Sequence, residues 1–334
     1  MKNNYLVIDK STDPYYNLAL EEYLLMHYLD GNIVMLWQND NTIVVGRHQN
    51  AIEEINQQYV KEQGIKVVRR TTGGGAVYHD LGNLNYSYIT DREDETIDGG
   101  MKRFAEPVIL ALKELGADAK FSGRNDILIE GKKVSGTAQR IYKNRILHHG
   151  CLLFDADLSV VAASLRVRAE KFQSKAVKSV KSRVGNIVDF LPDNVTLKKF
   201  EDTLTKTMLA GEKYQILELA PEELLEVQKL RDEKYATWEW NYGHPIKCSI
   251  HNYQKYKGGV LEVGLQVKAG KIKECKIYGD FMALLPATEV EQHLIGCKYQ
   301  YEEVLKMLGE LTVSDYFGTI TKEEVASCIC CIGE

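Results

Sequence analysis

No run in the chain approaches 18 apolar residues, so no membrane-spanning helix is expected. The opening, Met1 to Tyr16, does not read as a secretory leader: the apolar run Tyr5 to Ile8 is short and Asp9 follows it. A cytoplasmic protein is the expectation. The seven cysteines are odd in number and scattered, which suits free thiols in a reducing compartment better than a disulfide framework. The tail Cys328 to Cys331 has no second Cys or His pair at zinc-site spacing. Positive charge is not in excess: 42 Lys and Arg face 47 Asp and Glu, a net charge of −5 that argues against nucleic-acid binding by the whole protein. The familiar phosphate loops are missing too. In Gly73 to Tyr78, GGGAVY, Tyr78 stands where G-x-G-x-x-G needs its last glycine, and no Gly-Lys-Ser/Thr follows.

What is present suits a soluble globular chain, with 44% hydrophobic and 27% charged residues over 334 positions. That length allows one large domain or two. Asp13 as a cap and Pro14 at the first helical position begin a helix, NLALEEYLL falling within it. The runs NIVMLW and TIVVG, around the polar turn QNDN, read as a hairpin. A helix is expected over 52–63, then the strand IKVVRR, the glycine turn, and strands GAVYH and NLNYSYI around Leu81–Gly82. A second long helix covers 101–116, with Pro107 near its first turn. Three strand-like runs follow, separated by turns at Gly131–Lys132 and Lys143–Asn144, and read as an antiparallel meander.

Helices are expected near 197–209 and from Pro221. After WEWNYGHP the character shifts to a hairpin turning at Ala269–Gly270, with helices near 290–294 and 301–308. The pattern lacks regular βαβ alternation, which argues for an α+β fold with a mixed, largely antiparallel sheet. The expected division is 1–246 and 247–334, the second part being a small α+β domain.

Two stretches bear chemistry. RRTTGGGAVYHD, Arg69 to Asp80, places three glycines beside Arg70. Missing Cβ atoms let a ligand approach the backbone, turn N–H groups can bind anionic oxygens, and an arginine offers a fork of donors. NDILIEGKKVSGTAQR puts Lys133 beside the small residues Ser135 to Ala138. Regular strand alternation would point Lys133 and Ser135 to one face and Val134 to the other. The basic segment 166–183 holds seven Lys/Arg and one acid, Glu170. It reads as a solvated face or as a contact surface for an anionic ligand or acidic partner.

Together with HHGCLLFDADL, NLALEEYLL, VVGRHQNAIEEIN, SRVGNI and WEWNYG, these stretches resemble the lipoate–protein ligase A family. The resemblance covers most of the first 245 residues; the last 85 or so resemble the accessory domain of its longer members. It implies a fold shared with biotin ligases and, distantly, class II aminoacyl-tRNA synthetases. It implies ATP-dependent activation of lipoate to lipoyl-AMP, then transfer to a lysine of an acceptor domain. The implied acceptors are the E2 lipoyl domains of 2-oxoacid dehydrogenase complexes and the glycine cleavage H protein.

Carried over by motif, Arg70, Gly75, Ala76, Val77, Tyr78, Asn83, Asp126 and Lys133 would bind ATP, with Lys133 the electrostatic centre. Arg47, Gly73, Gly74, His79, Lys133, Ala138 and His149 would hold lipoate or octanoate. Asp126 is the candidate Mg²⁺ ligand, and Lys175, Lys178 and Lys181 candidates for steering an acidic acceptor. His79 is expected to shape the site. A monomer is expected. Two rival readings stand beside this one: an acyl transferase using Cys151, with His149 two residues away on the same face, and a non-catalytic lipoate sensor.

Overall fold

The computed structural model describes residues 3–93, 97–165, 183–243 and 248–331. In chain order the elements begin with β1 (Asn4–Ile8), α1 (Pro14–His27), β2 (Asn32–Trp37), β3 (Thr42–Val45), α2 (Ala51–Glu54), α3 (Gln57–Glu62), β4 (Lys66–Arg69), β5 (Val77–His79) and β6 (Asn83–Asp91). Then come α4 (Ile97–Glu114), β7 (Ala119–Ser122), β8 (Asp126–Ile129), β9 (Lys132–Tyr142), β10 (Arg145–Leu153) and α5 (Leu158–Ser164). They are followed by α6 (Leu197–Met208), β11 (Gln215–Ile216), α7 (Pro221–Leu230), a π-helical turn at Arg231–Tyr235 and α8 (Trp238–Tyr242). The last part holds β12 (Ile250–Tyr256), β13 (Gly259–Lys268), β14 (Lys271–Gly279), α9 (Thr288–His293), α10 (Tyr301–Leu308), α11 (Val313–Phe317) and α12 (Lys322–Cys330).

Eight strands form one sheet in the order β11-β1-β2-β6-β10-β9-β8-β7, antiparallel except where β1 meets β11 and β2. One face packs under α4 and α6, through Tyr86, Leu152 and Val134 against Val108, Leu112 and Phe200. The other face packs against α1, through Met35, Trp37 and Leu147 against Leu18, Leu24 and Leu25. Each large apolar side chain buried this way contributes about 1.5–3 kcal/mol. A small sheet, β4-β3-β5, lies on the α1 side, and β12-β13-β14 form a third sheet with its own core. This is the expected α+β architecture, and the meander of β8, β9 and β10 is as read.

Four local expectations are corrected. NIVMLW and TIVVG do not pair: β2 lies in the large sheet between β1 and β6, while β3 sits in the small one between β4 and β5. GAVYH and NLNYSYI are likewise split between the two sheets. The single helix over 52–63 is two, because Ile55 leaves the helix to bridge Leu165, and the Asn56 side chain caps a new start by accepting the Tyr59 N–H. The long helix begins earlier, at Ile97, so Pro107 is internal. One backbone hydrogen bond is forfeited there, while Phe104, Ala105, Val108 and Leu112 stay buried on the inner face.

The C-terminal part touches the N-terminal part through the segment 279–284 and through Arg124, whose Nη1 donates to the Gly258 carbonyl. The Gly279 N–H donates to the His48 carbonyl at 2.9 Å, the Gly74 N–H to the Phe281 carbonyl at 3.2 Å, and the Ile141 N–H to the Leu284 carbonyl at 3.2 Å. Met282, on this segment, packs with Met101 and Ala138. Among the described residues, no helix is long and apolar enough to cross a membrane.

Candidate active site

The glycine turn leaves β4 and crosses to β5. An added Cβ at Gly73 would sit 2.6 Å from the Phe281 carbonyl oxygen, so close approach of the C-terminal segment requires glycine there. Gly74 has φ of +91°, and a Cβ would come within 3.0 Å of Arg70 Nη2. Gly75 is different: nothing lies within 4 Å of the position a Cβ would take. Its missing side chain leaves open space, as a ligand lying on the backbone would need.

Arg70 is buried beneath this turn and braces it. Nε donates to Thr72 Oγ1 at 3.0 Å, Nη1 to the Val44 carbonyl at 3.3 Å, and Nη2 to the carbonyls of Gly73 at 2.6 Å and Gly75 at 2.9 Å. Four of the guanidinium's five N–H groups are therefore committed inside the protein. The expected open fork of donors is corrected: its acceptors are the Thr72 hydroxyl, the Val44 carbonyl of β3 and the Gly73 and Gly75 carbonyls of its own turn. Burial lowers its pKa to about 10, which leaves it cationic at neutral pH.

Lys133 reaches the site through an irregularity. Opposite β8, Ser135 pairs with Ile127 and Lys133 with Leu128, so Val134 is an extra residue. Such a bulge breaks strand alternation. Val134 joins the core under α4, and Ser135, wholly buried, pairs across from Leu152 of that same core. Lys133 turns to the opposite face and lies over Gly136, where an added Cβ would be 3.1 Å from Nζ. The expectation that Lys133 and Ser135 share a face is thus overturned by one inserted residue. Lys133 Nζ pairs with Asp126 Oδ1 at 2.7 Å, both side chains about one-third exposed. On the far side, the Gly185 N–H donates to the Lys133 carbonyl at 3.0 Å and fixes the lysine's backbone.

Behind the turn runs a continuous chain of buried hydrogen bonds. Trp37 Nε1–H donates to Ser87 Oγ at 2.9 Å, and Ser87 donates to Glu21 Oε1 at 2.5 Å. The same Glu21 oxygen meets His149 Nδ1 at 2.8 Å, and His149 Nε2 meets Thr72 Oγ1 at 2.8 Å. Both imidazole nitrogens are therefore engaged. The Cys151 thiol contacts the Gly136 carbonyl instead, at 3.7 Å.

A cavity opens between the turn, α1 and the strands β6, β9 and β10. Of the residues expected at the site, Arg70, Gly74, Gly75, Ala76, Val77, His79, Lys133, Ala138 and His149 line it together. Asp126 enters through its pairing with Lys133. Gly73 is covered by Phe281. Tyr78 packs with Ile43 and Val45, its hydroxyl donating to Asn41 Oδ1 at 3.0 Å. Asn83 stands behind Asn85, to which it donates at 3.0 Å. Arg47 borders a second cavity, 5.8 Å from the Trp240 ring. The region holding Lys175, Lys178 and Lys181 lies outside the described residues.

The sequence reading missed Trp37, Val44, Asn85 and Asn125, which also line the cavity. Asn85 could have been found by alternation, because it lies across β6–β10 from Cys151. Burial holds the His79 pKa down at about 3, with Arg70 and His149 adding to the effect, so the ring is neutral at neutral pH. For magnesium the donor set offers one carboxylate, Asp126. That suits an ion brought in on phosphate oxygens and holding few protein ligands.

Comparison with known proteins agrees with this geometry. Residues 13–209 match the family described as lipoyl protein ligase A/B catalytic domain, and residues 246–329 match the bacterial lipoate protein ligase C-terminus. The lipoate-protein ligase LplJ of Bacillus subtilis is 42% identical over 319 residues, covering 93% of this chain and 95% of its own. A bipartite lipoate protein ligase from Thermoplasma acidophilum, solved with its E2 lipoyl domain, aligns with a TM-score of 0.68 at 32% identity, over 75% of this chain and 100% of that one. A lipoate-protein ligase A bound with ATP aligns with a TM-score of 0.64 at 29% identity, over 72% of this chain and 99% of that one.

Proposed function

The chain belongs to the lipoyl protein ligase A/B family, and from that premise we propose how its residues divide the work. It is an ATP-dependent lipoate–protein ligase. In the first half-reaction a lipoate carboxylate oxygen bonds to the α-phosphorus of ATP as the bond to the β-phosphate breaks, giving lipoyl-AMP and pyrophosphate. In the second, the neutral amine of an acceptor lysine attacks the carbonyl carbon. A C–N bond forms, AMP leaves, and the surplus amine proton passes to solvent.

One observation carries the assignment of roles: the bulge at Val134 aims Lys133 at the cavity mouth beside the open backbone of Gly75. There the ammonium offsets the repulsion between carboxylate and phosphate and stabilises charge developing in the transition state. Asp126 holds Lys133 in place and would offer one oxygen to Mg²⁺, which would supply neutralisation of phosphate charge. Arg70 keeps the turn in shape. The backbone from Gly75 to Val77 receives the nucleotide, and the α1 side of the cavity takes the acyl chain.

The Cys151 transferase reading is not favoured. A cysteine nucleophile needs a base, and both nitrogens of His149 are held by Glu21 and Thr72. The non-catalytic sensor reading is not favoured either. We assign residues 1–246 to catalysis and 247–334 to the accessory part. The acceptors we propose are E2 lipoyl domains and the H protein, met by a cytoplasmic monomer; the cysteines in the described residues are all unpaired, as a reducing compartment would keep them. Pyrophosphate release from ATP should depend on lipoate, and AMP release should accelerate on adding a lipoyl domain. Lys133→Ala should abolish the first. Lipoate-independent release, or full activity in the variant, would refute the assignment.

A further inference from the structure

The cavity runs from an exposed mouth at Gly75 and Lys133 to a buried end at Leu18, Trp37, Val44 and His79. His79 is the polar exception at that end, and the surrounding protein fixes which ring nitrogen carries the proton. Asn17 Nδ2 donates to the carbonyls of Ser11 at 3.1 Å and Gln38 at 2.8 Å, which identifies it as the amide nitrogen. It also donates to Asn39 Oδ1 at 3.0 Å, so the Asn39 Nδ2 end faces His79 Nδ1, at 3.2 Å. An amide nitrogen only donates; Nδ1 therefore accepts and the proton sits on Nε2.

That Nε2–H is buried and has no partner among the described residues. Buried donors are almost always satisfied, so an orphan at the closed end of a ligand cavity calls for an acceptor on the ligand. Asn85 Nδ2 also lacks a partner, but it stands across from Cys151, on the Gly136 side of the cavity rather than at its end.

We propose that His79 Nε2–H is the specificity donor of the acyl cavity, hydrogen-bonding a dithiolane sulfur and setting a preference for lipoate over octanoate. The proposal rests on the ligase reading above. A disulfide sulfur, like a thioether, is a weak acceptor. An alkyl chain fills the same hole but leaves the donor unmet, and sites built to hydrogen-bond a substrate reject analogues that cannot reciprocate. The edge-on Trp37 ring, 6.5 Å from the His79 ring, forms the apolar side of the same pocket.

The test compares lipoate with octanoate and with 5-cyclopentylpentanoate, which keeps the ring but replaces both sulfurs with CH₂ groups. Pyrophosphate release is measured for the wild type, His79→Phe and His79→Gln. The wild type should favour lipoate over both sulfur-free acids by about tenfold, mainly through KM, the order expected of one weak hydrogen bond. His79→Phe should bring both ratios near one while the sulfur-free acids are still activated, and His79→Gln, with a donor restored, should recover part of each. In the wild type the ¹⁵N resonance of Nε2 should move with lipoate and not with the cyclopentyl acid, a readout that stands if His79→Phe fails to fold. Equal wild-type kcat/KM for lipoate and the cyclopentyl acid, or equal loss for all acids in His79→Phe, would overturn the proposal. Activation of no acid by the wild type would instead refute the ligase reading.

Discussion

At the scale of single residues, two glycines of the same turn separate stability from ligand binding. Gly74→Val places a β-branched residue at φ of +91° against Arg70. It should cost about 1–3 kcal/mol in backbone strain, and it should block adenylation. Gly75→Ala puts its methyl group into open space, so the melting temperature should hold while ATP-dependent activation falls. Equal activity in Gly75→Ala would remove the nucleotide from that position. Glu22 supplies a pH test. Burial alone would raise its pKa, but Lys234 and Arg140 outweigh that and bring it down from 4.5 to about 2. A lowered folded-state pKa stabilises above the unfolded value, by about 3 kcal/mol here, and the gain is lost as pH falls from about 5 towards 2. Glu22→Gln should lower the melting temperature at pH 7, and its gap to the wild type should narrow across that acid range. A constant gap would mean that the ion pairs do not couple to folding.

At the scale of elements, the strands of the site were legible because alternation and turn residues announce them. Their partners were not. Chain neighbours pair often enough that NIVMLW and TIVVG read as a hairpin, yet β3 finds β4 and β5 instead. Nor was the bulge legible. KKVSG has the composition of a regular strand, and only pairing against β8 shows that Val134 is supernumerary. Deleting Val134 should restore regular alternation with Lys133 next to Ser135, still opposite Leu128 and still on the cavity face, so pyrophosphate release should persist. It should lower the melting temperature, since the core under α4 loses the Val134 side chain. Loss of activity in a folded deletion would show that the extra residue itself sets the reach of the lysine.

At the scale of the whole molecule, the family motifs pointed to most of the residues that line the cavity. The role of Arg70 was not legible, because its partners are backbone carbonyls, which sequence does not display. The same holds for the segment from Gly279 to Leu284, whose carbonyls meet Gly74 and Ile141. Long-range electrostatics can be read at both levels. A chain of net charge −5 carries a strongly basic segment at 166–183, and directly after it the Gly185 N–H is tied to the Lys133 carbonyl. Reversing Lys175, Lys178 and Lys181 to Glu should slow lipoyl transfer to an acidic acceptor domain at low salt and matter little at high salt. Adenylation without acceptor should be unaffected. A transfer rate indifferent to both charge and salt would discard steering.

The bulge also means that this stretch of chain obeys a parity rule. Upstream of Val134 one parity of residue number faces the ligand; downstream it is the other, as Gly136 and Ala138 show. Val134 is the residue at which the count skips, and its side chain serves the core. Val134→Ala should lose some stability from the core and keep its chemistry. A single insertion or deletion between Gly136 and Ala138, where the pairing is regular, should instead turn one side of the strand off the cavity face, and a compensating pair should restore the phase.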